Sequence, residues 1–264
     1  MYLTDTHTHL YSSEFDNDRN EMMDRAIMSG INKFFLPNID SASIPSLFAL
    51  VKQYPANCFP MMGVHPCSVD QHFEEELRVV EHWLEKKNSV PVAGEKFYAV
   101  GEIGIDLYWD KTFYVQQHYA FKMQMELAKK YDLPVVIHTR NAFEEVYDLV
   151  SKLKDEKLRG IFHCFSGNLE QANKIIALGG FKLGIGGVVT FKNSGLDKIL
   201  KEIDMEHIVL ETDSPYLAPT PHRGARNESS YIPYIAQKVA EIKGMTIEEV
   251  ARVTNENVLT IFGV

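Results

Sequence analysis

Eight short apolar runs recur along this chain, and a longer amphipathic segment separates each from the next. The runs lie at 2–10, 33–39, 58–66, 98–106, 134–139, 160–165, 181–187 and 207–217, and they read as strands. Helical segments are expected between them at 17–29, 41–53, 74–87, 113–131, 142–154, 169–178 and 193–202. Two more, near 230–243 and 246–261, follow the last run. In 113–131, Phe121, Met125 and Ala128 recur at helical spacing, with Gln124, Glu126, Lys129 and Lys130 around them, so Phe121 is expected in the core. Thr246 precedes IEEVARV with Glu249 at the capping-box position, which starts a helix just after Gly244. Strands alternating with helices call for parallel pairing through crossovers. The chain is therefore predicted to be an α/β TIM (β/α)8 barrel, one domain spanning 1–264, with an extra C-terminal helix. A doubly wound open sheet is the structural alternative.

With 264 residues, 45% of them hydrophobic, the chain can bury a sizeable core and requires no disorder. No window approaches the 18 uncharged apolar residues of a membrane span, and no basic stretch leads into an apolar run at the start. A cytoplasmic protein with no membrane partner, monomeric by default, is expected. Cys58, Cys67 and Cys164 are odd in number and lack a close pairing motif, so reduced thiols are expected. The formal charge of -9 argues against a surface that holds nucleic acid everywhere, because such affinity comes from Lys and Arg neutralising phosphates. It leaves room for an enzyme that grips a few phosphates locally, and bound cations would reverse the local field.

The polar residues at the strand ends carry more information than the strand count. TDTHTHL at 4–10 sets His7 and His9 at alternate positions, which on a strand face the same way. His65 ends the third run, Glu102 lies in the fourth, His138 ends the fifth, His163 is in the sixth, and Asp213 ends the eighth. In a barrel these ends converge on one catalytic face. Four histidines and two carboxylates, with His65 nearby, then form a candidate metal centre. The competing reading is a set of hydrogen-bonded core histidines, which four separate strands make hard to sustain. His72, His82, His118 and His207 fall in helical or connecting segments and read as structural or surface residues. His222 shares its loop with two arginines.

Six ligands exceed what one ion needs when a position must stay open. Two ions about 3.5 to 4 Å apart can share a carboxylate and activate a water between them. Glu102, with two oxygens, is the expected bridge. His7, His9 and Asp213 would complete one position with it, and His138 and His163 the other, where water or substrate fills the remaining coordination. The mixed imidazole and carboxylate set suits Zn²⁺, Mn²⁺ or Ni²⁺, and Mg²⁺ where water and phosphate add oxygens; Mg²⁺ or Mn²⁺ is expected for activity.

These residues sit in a spaced series of motifs: DTHTHL, GVHP at 63–66, GEIGID at 101–106, PVVIHTR at 134–140, HCFSG at 163–167, GVVTFKN at 187–193 and LETDSPYL at 210–217. PHRGARNESSYI at 221–232 and the C-terminal NVLTIFG continue it. Together they closely resemble the TatD-type metal-dependent deoxyribonuclease family over essentially the whole chain. The resemblance implies a TIM-barrel hydrolase of the amidohydrolase group that cleaves phosphodiester bonds in DNA, often from the 3' end. It implies metal positions at His7, His9, Glu102, His138, His163 and Asp213. It also implies phosphate or metal-water contact for His65, a place in the active-site shell for Glu211, and a place for Arg223 in the loop over the site. The position after Pro66, often histidine in such proteins, is Cys67 here, which leaves the rim and substrate preference open.

Glu102, Asp213 and His65 are thus the expected catalytic residues, with Asp213 taking the proton of the attacking water and His65 holding a phosphate oxygen. Arg140, Arg223 and Arg226 are candidate phosphate contacts, since the planar guanidinium fork suits them; Lys192 is a weaker one. Tyr108 and Trp109, and equally Tyr216, are candidates to stack on a base. The glycines of GIGG at 184–187 would allow close backbone approach at the mouth, without the Lys and Ser/Thr of a P-loop. The expected partner is DNA at single-stranded ends, cut by a 3'-5' exonuclease. A metal-dependent amidohydrolase or phosphoesterase of small molecules is the runner-up, and a non-catalytic nucleic-acid scaffold the third reading.

Overall fold

The computed structural model describes residues 2–86 and 96–264. Its strands are β1 Leu3–Asp5, β2 Ile31–Leu36, β3 Cys58–Pro60, β4 Val100–Asp106, β5 Val135–Arg140, β6 Gly160–Phe162, β7 Phe181–Ile185 and β8 Ile208–Leu210. Each overlaps one of the expected runs. All pairings are parallel and join chain neighbours, β1 to β3 in one ladder and β4 to β8 in another. Backbone bonds span both seams. Met62 pairs with Val100, its N–H on Ala99 O at 3.2 Å, and Gly101 N–H reaches Met62 O at 3.1 Å. At the other seam Thr6 N–H donates to Leu210 O at 3.0 Å and Asp213 N–H to His7 O at 2.9 Å. The order therefore runs from β1 through β8 and back to β1, which leaves none of the order reversal of a doubly wound sheet.

Helices α1 Arg19–Met28, α2 Ile44–Gln53, α3 Phe73–Glu85, α4 Tyr114–Tyr131, α5 Phe143–Leu153, α6 Leu169–Ala177, α7 Leu196–Glu202 and α8 Ile232–Lys243 follow the strands in turn. The expected end of the third helix at residue 87 lies outside the described residues. α9, Ile247–Phe262, is the extra C-terminal helix. Its capping box forms as expected: Thr246 Oγ1 accepts from Glu249 N–H at 3.2 Å, and Glu249 Oε2 from Thr246 N–H at 2.8 Å. Phe121 is buried. Gln124, expected on the polar side, is buried too, because its amide answers a backbone group pair in the β3 loop. Its Oε1 accepts from Val64 N–H at 2.7 Å and its Nε2 donates to Val64 O at 3.2 Å.

The core has two layers. One lies between strands and helices; the other fills the barrel axis with Phe35, Met61, Val136, Ile161 and Val209. α9 caps that axis at the N-terminal ends of the strands with Val258, Ile261 and Phe262, and Phe262 stacks on Phe35 at 4.1 Å. The bottom of the barrel is thus packed solid, and only its C-terminal ends are free to host a site. All three cysteines are free thiols. Among the described residues no helix is long and apolar enough to cross a membrane.

Several strands end before the residues expected on them. β1 stops at Asp5, β3 at Pro60, β6 at Phe162 and β8 at Leu210, so His7, His9, His65, His163 and Asp213 lie in the turns beyond. Strand alternation therefore does not orient His7 and His9. Irregular backbone bonds do: Thr8 N–H to Phe35 O at 3.1 Å, His9 N–H to Ser214 O at 2.8 Å and His65 N–H to Ile39 O at 2.8 Å.

Because α9 packs at the end away from these turns, Phe262→Ala should lower unfolding free energy by about 3 kcal/mol. Urea denaturation measures this, and cation binding titrated in the same samples should stay within about twofold of the parent.

Candidate metal centre

Glu102, in the middle of β4, is buried and aims its carboxylate at the barrel axis. Its oxygens face different partners. Oε2 lies 3.1 Å from His7 Nε2 and 3.4 Å from His9 Nε2, while Asp213 Oδ1 stands 3.6 and 3.7 Å from those same nitrogens. Oε1 lies 2.8 Å from His163 Nε2, 2.9 Å from His138 Nδ1 and 3.3 Å from His65 Nε2. The six residues singled out as ligands thus come together, divided into two groups by one carboxylate. Asp213 enters its group from a turn in which it takes the left-handed conformation, φ 57°, one that Asp tolerates better than most residues.

The proton positions on the rings sort ligands from donors. Tyr11 gives its hydroxyl proton to Pro37 O at 2.6 Å, so its oxygen is left to accept from His9 Nδ1 at 3.2 Å; His9 Nε2 then keeps a lone pair. His65 is the reverse. Its Nδ1 accepts from Cys67 N–H at 3.0 Å, so a neutral His65 carries its proton on Nε2 and donates into the site. Within each group, ring nitrogens approach closely: His7 Nε2 to His9 Nε2 at 3.3 Å, and His138 Nδ1 to His163 Nε2 at 3.2 Å. Lone pairs brought this near one another suit a shared cation.

The charge balance points the same way. Glu102 is held well below the usual carboxylate range, since the surrounding histidines outweigh the burial that opposes it. Asp213 is pushed up to about 6 by burial, with Glu102 and Glu211 as neighbouring negative charges. His7 lies well below the ordinary histidine range through burial and the neighbouring His163, whose ring stacks on it at 3.8 Å. His163 is held well above that range, because Glu102 and Glu211 overcome its burial. Away from Glu102, His7 Nδ1, His163 Nδ1 and Glu211 Oε2 are buried without a hydrogen-bond partner, in a further His7, His163 and Glu211 cluster. The imidazole nitrogens and carboxylate oxygens gathered around Glu102 fit divalent cations.

Around this set stand residues that the sequence reading assigned only in part. Glu211 is fully buried behind the histidines, 3.7 Å from His163 Nδ1, and accepts from Cys164 N–H at 2.5 Å. Gly184 on β7 makes room for it: a Cβ there would run into the Glu211 carboxylate. The GIGG glycines were expected to permit backbone approach: Gly187 does so, with the Leu217 carbonyl against it, while at Gly184 the visitor is a carboxylate instead. Asp106, the last residue of β4, was not singled out, although it shares a strand face with Glu102 four residues earlier. Its Oδ2 lies 2.9 Å from His138 Nε2, and its carboxyl is lowered to about 2, since His138 and two loop N–H groups outweigh burial.

Above the centre opens a cavity of about 830 Å³. Arg140, Trp109 and Tyr216 line it, and Cys67 stands at its rim. Tyr108 is exposed beside it, under the Arg140 guanidinium at 3.8 Å, with Trp109 at 5.2 Å. Arg223, Arg226 and Lys192 are not among the lining residues. Arg223 lies over the Phe191 ring at 3.5 Å. Arg226 is committed elsewhere. Its fork takes both oxygens of Asp18 at 2.7 Å each and also reaches Glu14 O, bracing the 221–228 loop against α1.

Against known proteins, the model of the TatD-related DNases matches residues 4–263. The chain belongs to this family. Similar proteins include the "Uncharacterized metal-dependent hydrolase YabD" of Bacillus subtilis, 37% identical, with 98% of each chain covered. The TatD protein of Pantoea ananatis, named a 3'-5' ssDNA/RNA exonuclease, is 29% identical over 98% of each chain. Among solved structures, the TatD homolog YjjV of Escherichia coli K12 superposes with a TM-score of 0.91 at 27% identity, covering 99% of this chain and 98% of its own. This TatD-family chain is thus of a family of metal-dependent hydrolases on a TIM-barrel fold.

Gly184→Ala should cost about 1 to 3 kcal/mol in thermal unfolding and weaken cation binding as well, since Glu211 must move to admit the methyl group. The Asp18 carboxyl is lowered to about 2, chiefly by Arg226. A carboxylate so depressed stabilises the fold above its unfolded value near 4 and loses that contribution as pH falls towards 2. Asp18→Asn should therefore cost on the order of 1 kcal/mol at pH 7 and progressively less between pH 5 and 2, followed by urea denaturation.

Proposed function

We propose that residues 1–264 form one hydrolase domain that cleaves phosphodiester bonds at single-stranded DNA ends, from the 3' side, with two divalent cations as cofactors. The observation that carries the reading is the division of Glu102: each oxygen faces a separate set of imidazoles below an open mouth. The cavity volume, about 830 Å³, suits a strand terminus better than a duplex. The name of the Pantoea ananatis relative supports the same substrate class and direction.

In this reading His7, His9, Asp213 and Glu102 hold one cation, and Glu102, His138 and His163 the other. Bound there, Mg²⁺ or Mn²⁺, or Zn²⁺ or Ni²⁺ in their place, would acidify a water and neutralise charge gathering on phosphate oxygens. Glu102 and the histidines keep the two positions at a fixed spacing. Asp213 takes the proton of the attacking water on the carboxylate oxygen that does not face His7 and His9. His65 donates its Nε2–H to a non-bridging phosphate oxygen. Arg140, whose guanidinium lies over the Tyr108 ring at 3.8 Å, offers its N–H groups to a neighbouring phosphate, and Trp109 and Tyr216 present ring faces to bases.

The deciding measurement is time-resolved cleavage of matched 3'-labelled and 5'-labelled single strands, after chelation and after adding back Mg²⁺ or Mn²⁺. Stepwise loss from the 3' end that returns with the cation, and falls at least about 100-fold in Glu102→Ala, is expected. No cleavage by protein shown to bind two cations would redirect the search to small esters and amides. Trp109→Ala should weaken single-strand binding by about 1 to 3 kcal/mol with cation affinity unchanged, measured by fluorescence anisotropy of a labelled oligonucleotide.

A further inference from the structure

We infer that Asp106 is a positioning residue with two tasks: one oxygen sets the ring orientation in which His138 meets its cation, and the other holds the aromatic rim of the mouth. The inference rests on the reading of His138 as a ligand. His138 differs from the other histidines of the centre. His7, His9 and His163 turn Nε2 to Glu102, whereas His138 turns Nδ1, at 2.9 Å. To hold a cation through Nδ1, a neutral ring must carry its proton on Nε2. Asp106 Oδ2 faces that Nε2 at 2.9 Å. An ionised carboxylate only accepts, so it selects this tautomer, and no other side chain contacts His138 Nε2 within hydrogen-bond distance among the described residues.

The second oxygen is engaged at the mouth. Asp106 Oδ1 accepts from Tyr108 N–H at 2.8 Å and Trp109 N–H at 3.3 Å, and Gln117 of α4 anchors Asp106 itself by taking its N–H at 2.9 Å. Tyr108 in turn carries the Arg140 guanidinium. A single buried side chain therefore touches both a candidate ligand and the loop that presents the rim.

If Asp106 served only the loop, Asn would replace it without loss, because an amide oxygen accepts the same two N–H groups. Asn differs at the other atom. Its NH2 would face His138 Nε2, demand a lone pair there and drive the proton to Nδ1, where it blocks the cation. Asp106→Asn should thus separate the two tasks, and Asp106→Ala should lose both.

The test is a Zn²⁺ titration against a chromophoric chelator in a Trp83→Phe background, where Trp109 is the one tryptophan left of the chain's two. In D106N one of two sites should weaken by about 10 to 100-fold with the other within about threefold, and Trp109 emission and acrylamide quenching should match the parent. D106A should weaken the same site and shift the Trp109 emission. Parental affinity at both sites in D106N, or equal weakening of both, overturns the assignment. Nitrogen-15 histidine NMR of the Zn²⁺-loaded, unsubstituted chain decides it without any variant: His138 protonated on Nε2 with Nδ1 bare is required, and the reverse refutes it. A parent that binds fewer than two cations sinks the dinuclear reading instead, and the ring measurement still judges Asp106.

Discussion

Glu102 carries a negative charge on a side chain that is almost fully buried at the floor of the cavity, and the cost of keeping it there governs what surrounds it. An uncompensated carboxylate at such a depth costs several kcal/mol. Five imidazoles answer it, from His163 at 2.8 Å to His9 at 3.4 Å. These rings cannot all be charged together, as the opposite displacements of His7 and His163 indicate. Asp213 and Glu211 add further acidity at close range. Positive charge placed between its members would balance the set, and the barrel supplies the geometry by bringing the ends of β1, β4, β5, β6 and β8 to one axis.

The ladder of the sheet does not reach most of these residues, so another device must hold them. Asp5, at the end of β1, accepts from Thr212 N–H at 2.9 Å, from the Thr212 hydroxyl at 2.6 Å and from the Ser229 hydroxyl at 2.6 Å. A longer contact, 3.4 Å, comes from His7 N–H. Asn227 adds a bond to Thr212 O at 2.8 Å. Buried polar groups that are this fully answered rigidify their surroundings. The turn bearing His7 and the turn bearing Asp213 are thereby fastened to each other and to the chain segment ahead of α8. Burial raises the Asp5 carboxyl to about 7, the counterpart of placing such a fastener where water is excluded.

Much of this was legible in the order of residues. The alternation of apolar and amphipathic segments locates every strand and helix, because parallel barrel strands are buried on both faces and read as continuous apolar runs. The candidate ligands stood out because His and carboxylate are costly in such runs. Exact strand ends were not legible: residues 6–10 continue a strand-like pattern, yet the backbone leaves the ladder after Asp5 to meet Leu210, Phe35 and Ser214, partners remote in sequence. Gln124 looked like a surface residue for the same reason, since the Val64 backbone it serves lies 60 positions away. Arg226 looked like a phosphate contact because its Asp18 partner, just ahead of α1, is remote in sequence. Asp106 was within reach, as strand parity puts it on the face of Glu102, but a search for direct ligands passes over a residue that acts through one.

The α9 plug has a kinetic side. With Phe35, Phe262 and the residues between them filling the axis, the centre is a blind well with its opening above Glu102. If the proposed cleavage takes place there, its product leaves on the open side, where Trp109 and Arg140 line the cavity. A long substrate cannot be threaded through such a site; it has to withdraw, or at least loosen, before the fragment beneath it escapes. On that reading the fold favours many short visits over one continuous passage, and release at the rim competes with chemistry at the floor for control of turnover.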